Sequence, residues 1–396
     1  MRVLFVNKYL YQRGGAETYM IKLGEYMKSV GHEVEYFGMQ DDKNIVFNSI
    51  GAYTDNIDFH SSSLKYLTYP FTIIYSHKAR KQIKKVIEHF KPDVVHINNF
   101  NYQLTPSVIY EIKKHNIPIV CTAHDVQLVC PNHRMKNDKT DGLCRQCYGG
   151  KFYNCVKNNC VHGSKLRSLI GMAESWIYRK LHTYRLIDRV VCPSEFMERE
   201  LLNNSDLVGR TETLHNFIDV LSPKGIEREN YVLYFGRYSE EKGIRTLIKA
   251  AEALPKVQFV FAGKGDLEKE INAVPNIRNV GFKTGDELNE IIEKAAFSVL
   301  PSEWGENCPF TVMESQSICT PVIGADIGGI PELIDDGKTG LLFESGNVQE
   351  LTEKIEYLYN NRELCREMSG NCASLKYDTI RTYTDKMIDL YKGLVK

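Results

Sequence analysis

The sequence carries no surplus charge of either sign. Its 50 lysines and arginines are balanced by 50 aspartates and glutamates, so there is no basic field to draw in nucleic acid, and none is expected as a partner. Nowhere is there a run of about 18 apolar residues, the length a membrane-spanning helix needs. The opening "MRVLFVNKYL" passes straight into a strand pattern, without the basic segment, apolar stretch and small-residue cleavage site of a secretory leader. A cytoplasmic protein is expected, with peripheral contact at the inner face of the membrane left open. Low-complexity tracts are absent as well.

Cysteine is not scarce, but disulfide context is. Eleven cysteines in a chain without a leader suit a reducing compartment rather than a disulfide framework. Six of them, Cys121, Cys192, Cys308, Cys319, Cys365 and Cys372, are scattered through strand-like or helical stretches and read as small core hydrophobes. The other five crowd between Cys130 and Cys160. Cys144 and Cys147, in a C-x2-C pair, with Cys155 and Cys160 have the spacing of a four-thiolate structural zinc site. Reduced free thiols are the competing reading. Cys130 and His133 lie just upstream.

What is present is the composition of a folded protein, 43% hydrophobic over 396 residues, too long for one ordinary core. Strand and helix patterns alternate: "RVLFV", a helix over about 16–30, "EVEYFG", a helix over about 75–90, "PDVVHIN", a helix over 106–115, "IPIVCTAH", a helix over about 165–187, and "RVVCPS". This is the βαβ rhythm of a parallel sheet. After a Pro-, Gly- and charge-rich interval it restarts with "YVLYFG", "VQFVFAGKG", "FSVLP" and "PVIGA". The expected architecture is α/β, two Rossmann-like doubly wound domains facing across a cleft. Their expected limits are residues 1–215 with a Cys-rich insertion at 130–160, a linker at 216–229, and a second domain at 230–375. A terminal helix, 376–396, follows.

Ligands of such sheets bind at the carboxyl ends of the strands, and several motifs fall there. "FGRYSEEKG" puts Arg237 and Lys242 around a strand-to-helix turn, a guanidinium fork and an ammonium suited to a diphosphate. "RGGAE", with Gly14 and Gly15, lets backbone approach a phosphate at a helix start. His124 ends the strand "IPIVCTA", where it can donate to a hydroxyl or move a proton. "PSEWGENCPFTVMES" sets Glu306 before a helix opened by Pro309 and Glu314 inside it. Gly263 sits in "GKGD" and "GFK" ends in Phe282 and Lys283. Any one of these also reads as ordinary loop or cap chemistry.

Together, "GGAE", "TAHD", "FGRYSEEKG", "FAGKGD", "PSEWGENCPFTVMESQSICTPVIGADIGGIPELI" and "GKTGLLF" resemble the retaining glycosyltransferases of GT-B fold, family 4, the glycosyl transferases group 1. The likeness covers the second domain throughout and the first at its loops. It implies that Arg237 and Lys242 hold a nucleotide's diphosphate and that Gly15, with Gly14, approaches it. His124 would contact the transferred sugar. Glu306 would face the donor sugar, with Asn307, Cys308, Pro309 and Phe310 offering backbone N–H groups, and Glu314 would hold the ribose. Phe282 and Lys283 would flank the base, with Gly263 on the donor side. No Asp-x-Asp motif occurs, so no metal is expected at the diphosphate and no cofactor for catalysis.

The implied reaction moves a sugar, with retention, from a UDP or GDP sugar to a glycan or lipid-linked glycan in cell-surface polysaccharide synthesis. The competing functions are a sugar-nucleotide epimerase or hydrolase and a non-catalytic nucleotide-sugar-binding regulator. The terminal helix, by the same resemblance, crosses back to brace the first domain. The basic and aromatic stretch with Lys165, Arg167, Trp176, Ile177, Tyr178, Arg179, Lys180 and Arg185 reads either as a membrane-surface helix or as a core-packed one.

Overall fold

The computed structural model describes residues 1–56, 69–137, 142–219 and 223–395. Parts of the Cys-rich insertion (138–141) and of the expected linker (220–222), and Lys396, lie outside the described residues. The chain forms two units, Met1–Asn216 together with Ile380–Lys396, and Phe217–Thr379.

In the first unit six parallel strands, β1 (Arg2–Val6), β2 (Glu33–Phe37), β3 (Val94–Ile97), β4 (Ile119–Thr122), β5 (Arg189–Cys192) and β6 (Thr211–Thr213), lie in the order β2-β1-β3-β4-β5-β6. Helices cover the sheet, so β3 (VVHI) and β4 (IVCT) are buried along their whole length. That accounts for their unbroken apolar runs. The helix Ile380–Leu394 belongs to this unit. The hydroxyl of its Tyr383 lies 2.8 Å from that of Tyr19, and Tyr391 hydrogen-bonds His96 Nδ1.

The second unit repeats the plan with β7 (Val232–Arg237), β8 (Phe259–Lys264), β9 (Ile277–Asn279), β10 (Phe297–Leu300), β11 (Val322–Ala325) and β12 (Gly340–Phe343). Their order is β12-β11-β10-β7-β8-β9, all pairs parallel. From β7 the chain winds outward through β8 to β9, returns to the other side of β7 as β10, and winds away again. The reversal lies between β7 and β10, and in the first sheet between β1 and β3.

Two local expectations change. The helix read over about 165–187 ends at Lys180. His182 adopts a left-handed conformation (φ 50°) and its Nδ1 reaches Asp206 Oδ1 at 2.7 Å, after which a short 3-10 turn runs Thr183–Leu186. Arg228, read as linker, is packed into the second unit instead. Its guanidinium donates to the carbonyls of Ala295 (2.7 Å) and Cys319 (2.7 Å) and to Thr320 Oγ1 (3.0 Å).

Candidate active site

The reversal between β7 and β10 is where open α/β sheets bind ligands, because neighbouring connections leave to opposite faces and open a crevice. The turn after β7 brings Lys242, and the turn after β10 brings Glu306. Their ammonium and carboxylate form an ion pair, with side chains only 24% and 11% exposed. Two glycines make this approach possible. Gly243 has φ +69°, and a Cβ there would lie 1.7 Å from the Pro301 carbonyl oxygen. Gly328 has φ +66°, and its Cβ would lie 2.3 Å from the Glu306 carbonyl oxygen. No side chain fits at either contact. The Gly329 N–H donates to that same Glu306 carbonyl (2.7 Å), and Ser302 Oγ donates to Glu306 Oε1 (2.8 Å). Both side-chain bonds of Glu306 use Oε1.

Arg237 closes β7. Its guanidinium is 64% exposed and donates to Glu241 Oε1 at 2.5 Å. Both expected diphosphate cations are thus at the strand ends, each held by a carboxylate. The helix Phe310–Ser317 begins beside them. Pro309 is its N-cap, with extended ψ of 119°, rather than its first helical residue. Asn307 and Phe310 are half-buried, while Cys308 turns its sulfur inward to Met313 Sδ at 4.0 Å. Only the backbone of Cys308 is therefore available to a ligand. Glu314 is half-buried one turn along.

Further along the same edge, Gly263 lies opposite Gly236, so close that a Cβ would sit 1.9 Å from the Gly236 carbonyl oxygen. Phe282 is 60% exposed, and the Lys264 ammonium stands 4.7 Å over its ring. Lys283 is tied to Glu287 at 3.1 Å. Sequence reasoning missed Ser302, Glu241 and Lys264. Lys264 had a signal, since the "FAGKGD" strand puts it in register with Arg237.

At the reversal in the first sheet two asparagines and a histidine meet. Asn7 follows β1, and its side chain accepts from the Asn99 N–H (2.9 Å) and donates to the buried Glu17 (3.3 Å). Gly14 caps the helix Gly15–Ser29. Asn98 follows β3, and its Oδ1 lies 2.8 Å from His124 Nε2. That bond places the imidazole proton on Nε2 and leaves the lone pair on Nδ1. Burial pushes His124 down to about 3, so the ring is neutral. Tyr19 packs edge-on against it at 4.9 Å. The Asn98 amide nitrogen is buried without a hydrogen-bond partner among the described residues. Beside it, burial lowers the Lys8 pKa and raises that of Asp125, two charges that favour each other. Neither Asn98 nor Lys8 was marked by the sequence.

Cys130, Cys144, Cys147, Cys155 and Cys160 line one pocket with Met135 and Tyr148. Among the described residues, no three His, Cys, Asp or Glu side chains are gathered as a metal-binding group. On the helix Lys165–Lys180, Trp176, Lys165 and Lys180 are exposed, Arg167 and Ile177 are half-buried, and Tyr178 is buried. Arg179 donates to the Asn203 carbonyl, and Arg185 pairs with Asp206. No described helix is long and apolar enough to cross a membrane.

The family model described as Glycosyltransferase Family 4 matches residues 13–220, and that described as Glycosyl transferases group 1 matches residues 221–374. An uncharacterized glycosyltransferase of Methanocaldococcus jannaschii is 25% identical over 339 residues, 83% of this chain and 90% of the relative. HepE of Anabaena, solved in complex with UDP, superposes with a TM-score of 0.71 at 17% identity, over 99% of this chain and all of that one. Sucrose-phosphate synthase of Thermosynechococcus elongatus gives 0.73 at 17% identity, over 99% and 98%. With both halves of the sequence matched and both sheets wound in the GT-B manner, the chain belongs to the group 1, family 4 glycosyltransferases.

Proposed function

We propose that the protein transfers a sugar, with retention of anomeric configuration, from a nucleoside diphosphate sugar to a glycan or lipid-linked glycan acceptor in cell-surface polysaccharide synthesis. The observation that carries this reading is the Lys242–Glu306 pair at the sheet reversal, flanked by Arg237 and the start of the helix Phe310–Ser317. Two cations and a set of backbone N–H groups there suit a departing diphosphate. The UDP bound by the similarly folded HepE supports a nucleotide donor.

In this reading the donor's diphosphate takes Arg237 and Lys242 from their carboxylates. Glu306 then turns its remaining oxygen to the sugar, and Glu314 takes the ribose. The acceptor hydroxyl oxygen attacks the anomeric carbon on the face the phosphate leaves. As that C–O bond breaks, the hydroxyl proton passes to the departing phosphate oxygen. No protein nucleophile is needed, and the cations carry the charge without a metal at the diphosphate. His124, neutral and protonated on Nε2, acts as an orienting group near the sugar.

The test is an assay of the full chain against UDP and GDP sugars with glycan and lipid-linked acceptors, with the anomeric configuration of the product read by NMR. Donor consumption without acceptor would favour the hydrolase or epimerase. Tight nucleotide binding with no turnover on any pair would favour the regulator. Transfer that stops on brief EDTA treatment and returns with Mg²⁺ would overturn the metal-free step.

A further inference from the structure

The helix Lys165–Lys180 is amphipathic in the reverse sense. A surface helix ordinarily turns its apolar stripe to the core and its polar stripe to water. Here the buried stripe is Ser168, Gly171, Glu174, Ser175 and Tyr178. It packs closely: a Cβ on Gly171 would lie 3.2 Å from the Tyr102 hydroxyl and 3.3 Å from a Val161 methyl carbon. At about 100° per residue, Leu166, Leu169, Ala173 and Trp176 share the opposite side, where Leu166 is 67%, Leu169 46% and Trp176 58% exposed. Leu181, the C-cap, is 61% exposed. Single exposed leucines are ordinary, but a row of them along one helix marks a contact surface. The stretch also departs from the chain's balance of charge. Residues 143–187 hold eight lysines and arginines and one acid, the buried Glu174. Arg145 and Arg185 pair with Glu200 and Asp206, while Lys165 and Lys180 stand exposed at the two ends of the apolar row. The Lys180 ammonium lies 5.6 Å from the centre of the Trp176 ring.

We propose that this face lies on a membrane surface rich in anionic lipid, with the helix axis in the plane of the interface. Leu166, Leu169 and Trp176 enter the boundary between headgroups and acyl chains, and Lys165 and Lys180 extend to the lipid phosphates. Charge decides the occupant. A second copy of the chain would set the same basic stretch against itself, and a neutral apolar partner would leave the ammonium groups without counter-charges. No described helix is long and apolar enough to cross a membrane, so contact of this kind is lateral. The docking stands apart from the proposed glycosyl transfer, and vesicle binding reads it without turnover. Where both hold, the first unit is tethered at the surface that carries a lipid-linked acceptor.

In flotation assays at about 0.1 M salt, the full chain should bind vesicles of phosphatidylcholine with about one third phosphatidylglycerol at least about tenfold tighter than phosphatidylcholine alone. Raising the salt to about 1 M should remove most of that difference. Leu166→Gln with Leu169→Gln should weaken binding to the anionic vesicles about tenfold or more, as should Lys165→Glu with Lys180→Glu. All four side chains are exposed, so the melting temperature should stay near that of the wild type. The chain has two tryptophans, and Trp304→Phe leaves Trp176 as the reporter. Its emission should shift to the blue on anionic vesicles and be quenched by lipids brominated high on the acyl chain. Should that variant fail to fold, protection of Lys165 and Lys180 from acetylation on vesicles, read by mass spectrometry, reports the same contact. Equal binding to neutral and anionic vesicles, binding undiminished in both double variants, or Trp176 left in water on bound vesicles would each overturn the proposal. So would self-association through the same residues without vesicle binding, which would make the occupant a second copy.

Discussion

At the reversal of the second sheet, a lysine and a glutamate meet in a turn pressed together by Gly243 and Gly328. At the reversal of the first sheet, two asparagines and a histidine held neutral by burial meet, with Glu17, Lys8 and Asp125 buried beside them. The backbone plan is shared, so the difference lies in side chains alone. Cations preorganised in a partly dry turn favour an anion that gains charge. Neutral amides and an imidazole favour hydroxyls, which carry no charge to stabilise and need only be oriented. One scaffold thus supports two kinds of recognition, and a substitution should affect only the kind it touches.

The sharpest way to break this comparison is Lys242→Ala. Without its ammonium, kcat/KM should fall about 100-fold or more, roughly 2.7 kcal/mol of transition-state stabilisation. Arg237→Ala should act in the same direction. Melting temperature is measured alongside, because Glu306 then keeps a buried carboxylate without its cation. Wild-type turnover in a folded Lys242→Ala would remove the diphosphate role. In contrast, His124→Asn should leave donor affinity within about twofold while slowing transfer about tenfold; a weakened donor affinity instead would blur the contrast.

The glycine contacts offer a second test, read by chemical denaturation. Gly243→Ala adds a Cβ at positive φ against a fixed carbonyl and should cost on the order of 2–3 kcal/mol. Gly209 in the first unit has φ +75° with nothing within 4 Å of the added carbon, so Gly209→Ala should cost only about 1 kcal/mol. Equal losses would mean that the close approach to Pro301 is not what constrains Gly243.

Acid should single out the first unit. Burial pushes His96, His124 and His133 down to about 3, with His124 adding to the effect on His96 and Lys8 to that on His133. The unfolded chain titrates these rings near 6.5, so between about pH 6.5 and 3 it binds more protons at them than the folded chain, and their contribution to stability falls as pH falls, while Glu174, pushed up to about 8 by burial, works in the opposite direction. Above about 6.5 the histidines contribute no slope. Urea midpoints at about pH 7.5 and about pH 5 check this, and His96→Gln should flatten the difference. An unchanged slope would place the acid sensitivity elsewhere. The smallest effect belongs to Phe282→Ala. Losing an exposed ring that can stack on a base should raise the donor KM about 3–10-fold at unchanged kcat.

Much of the plan was legible in sequence because buried parallel strands are short apolar runs such as "VVHI" and "FSVL", and the turns after them hold glycine and charge. Lys242 and Glu306 could each be picked out for the same reason. Their pairing could not, since it depends on β10 lying next to β7, a fact of strand order. That a Cβ at Gly243 would strike the Pro301 carbonyl depends on the same neighbour relation. The low proton affinity of His124 was hidden because one ring that buries it, Tyr19, comes from the first helix.

The chain enters the first unit twice, and the order of synthesis makes that a timing device. The six strands of the first sheet are made before residue 217, but the hydroxyls that meet Tyr19 and His96 arrive with Tyr383 and Tyr391. At translation rates of about 5–20 residues per second, the intervening unit delays them by roughly ten to thirty seconds. During that interval the nascent first unit has its seat for the helix Ile380–Leu394 open. A polypeptide cut short anywhere in the second unit never closes it.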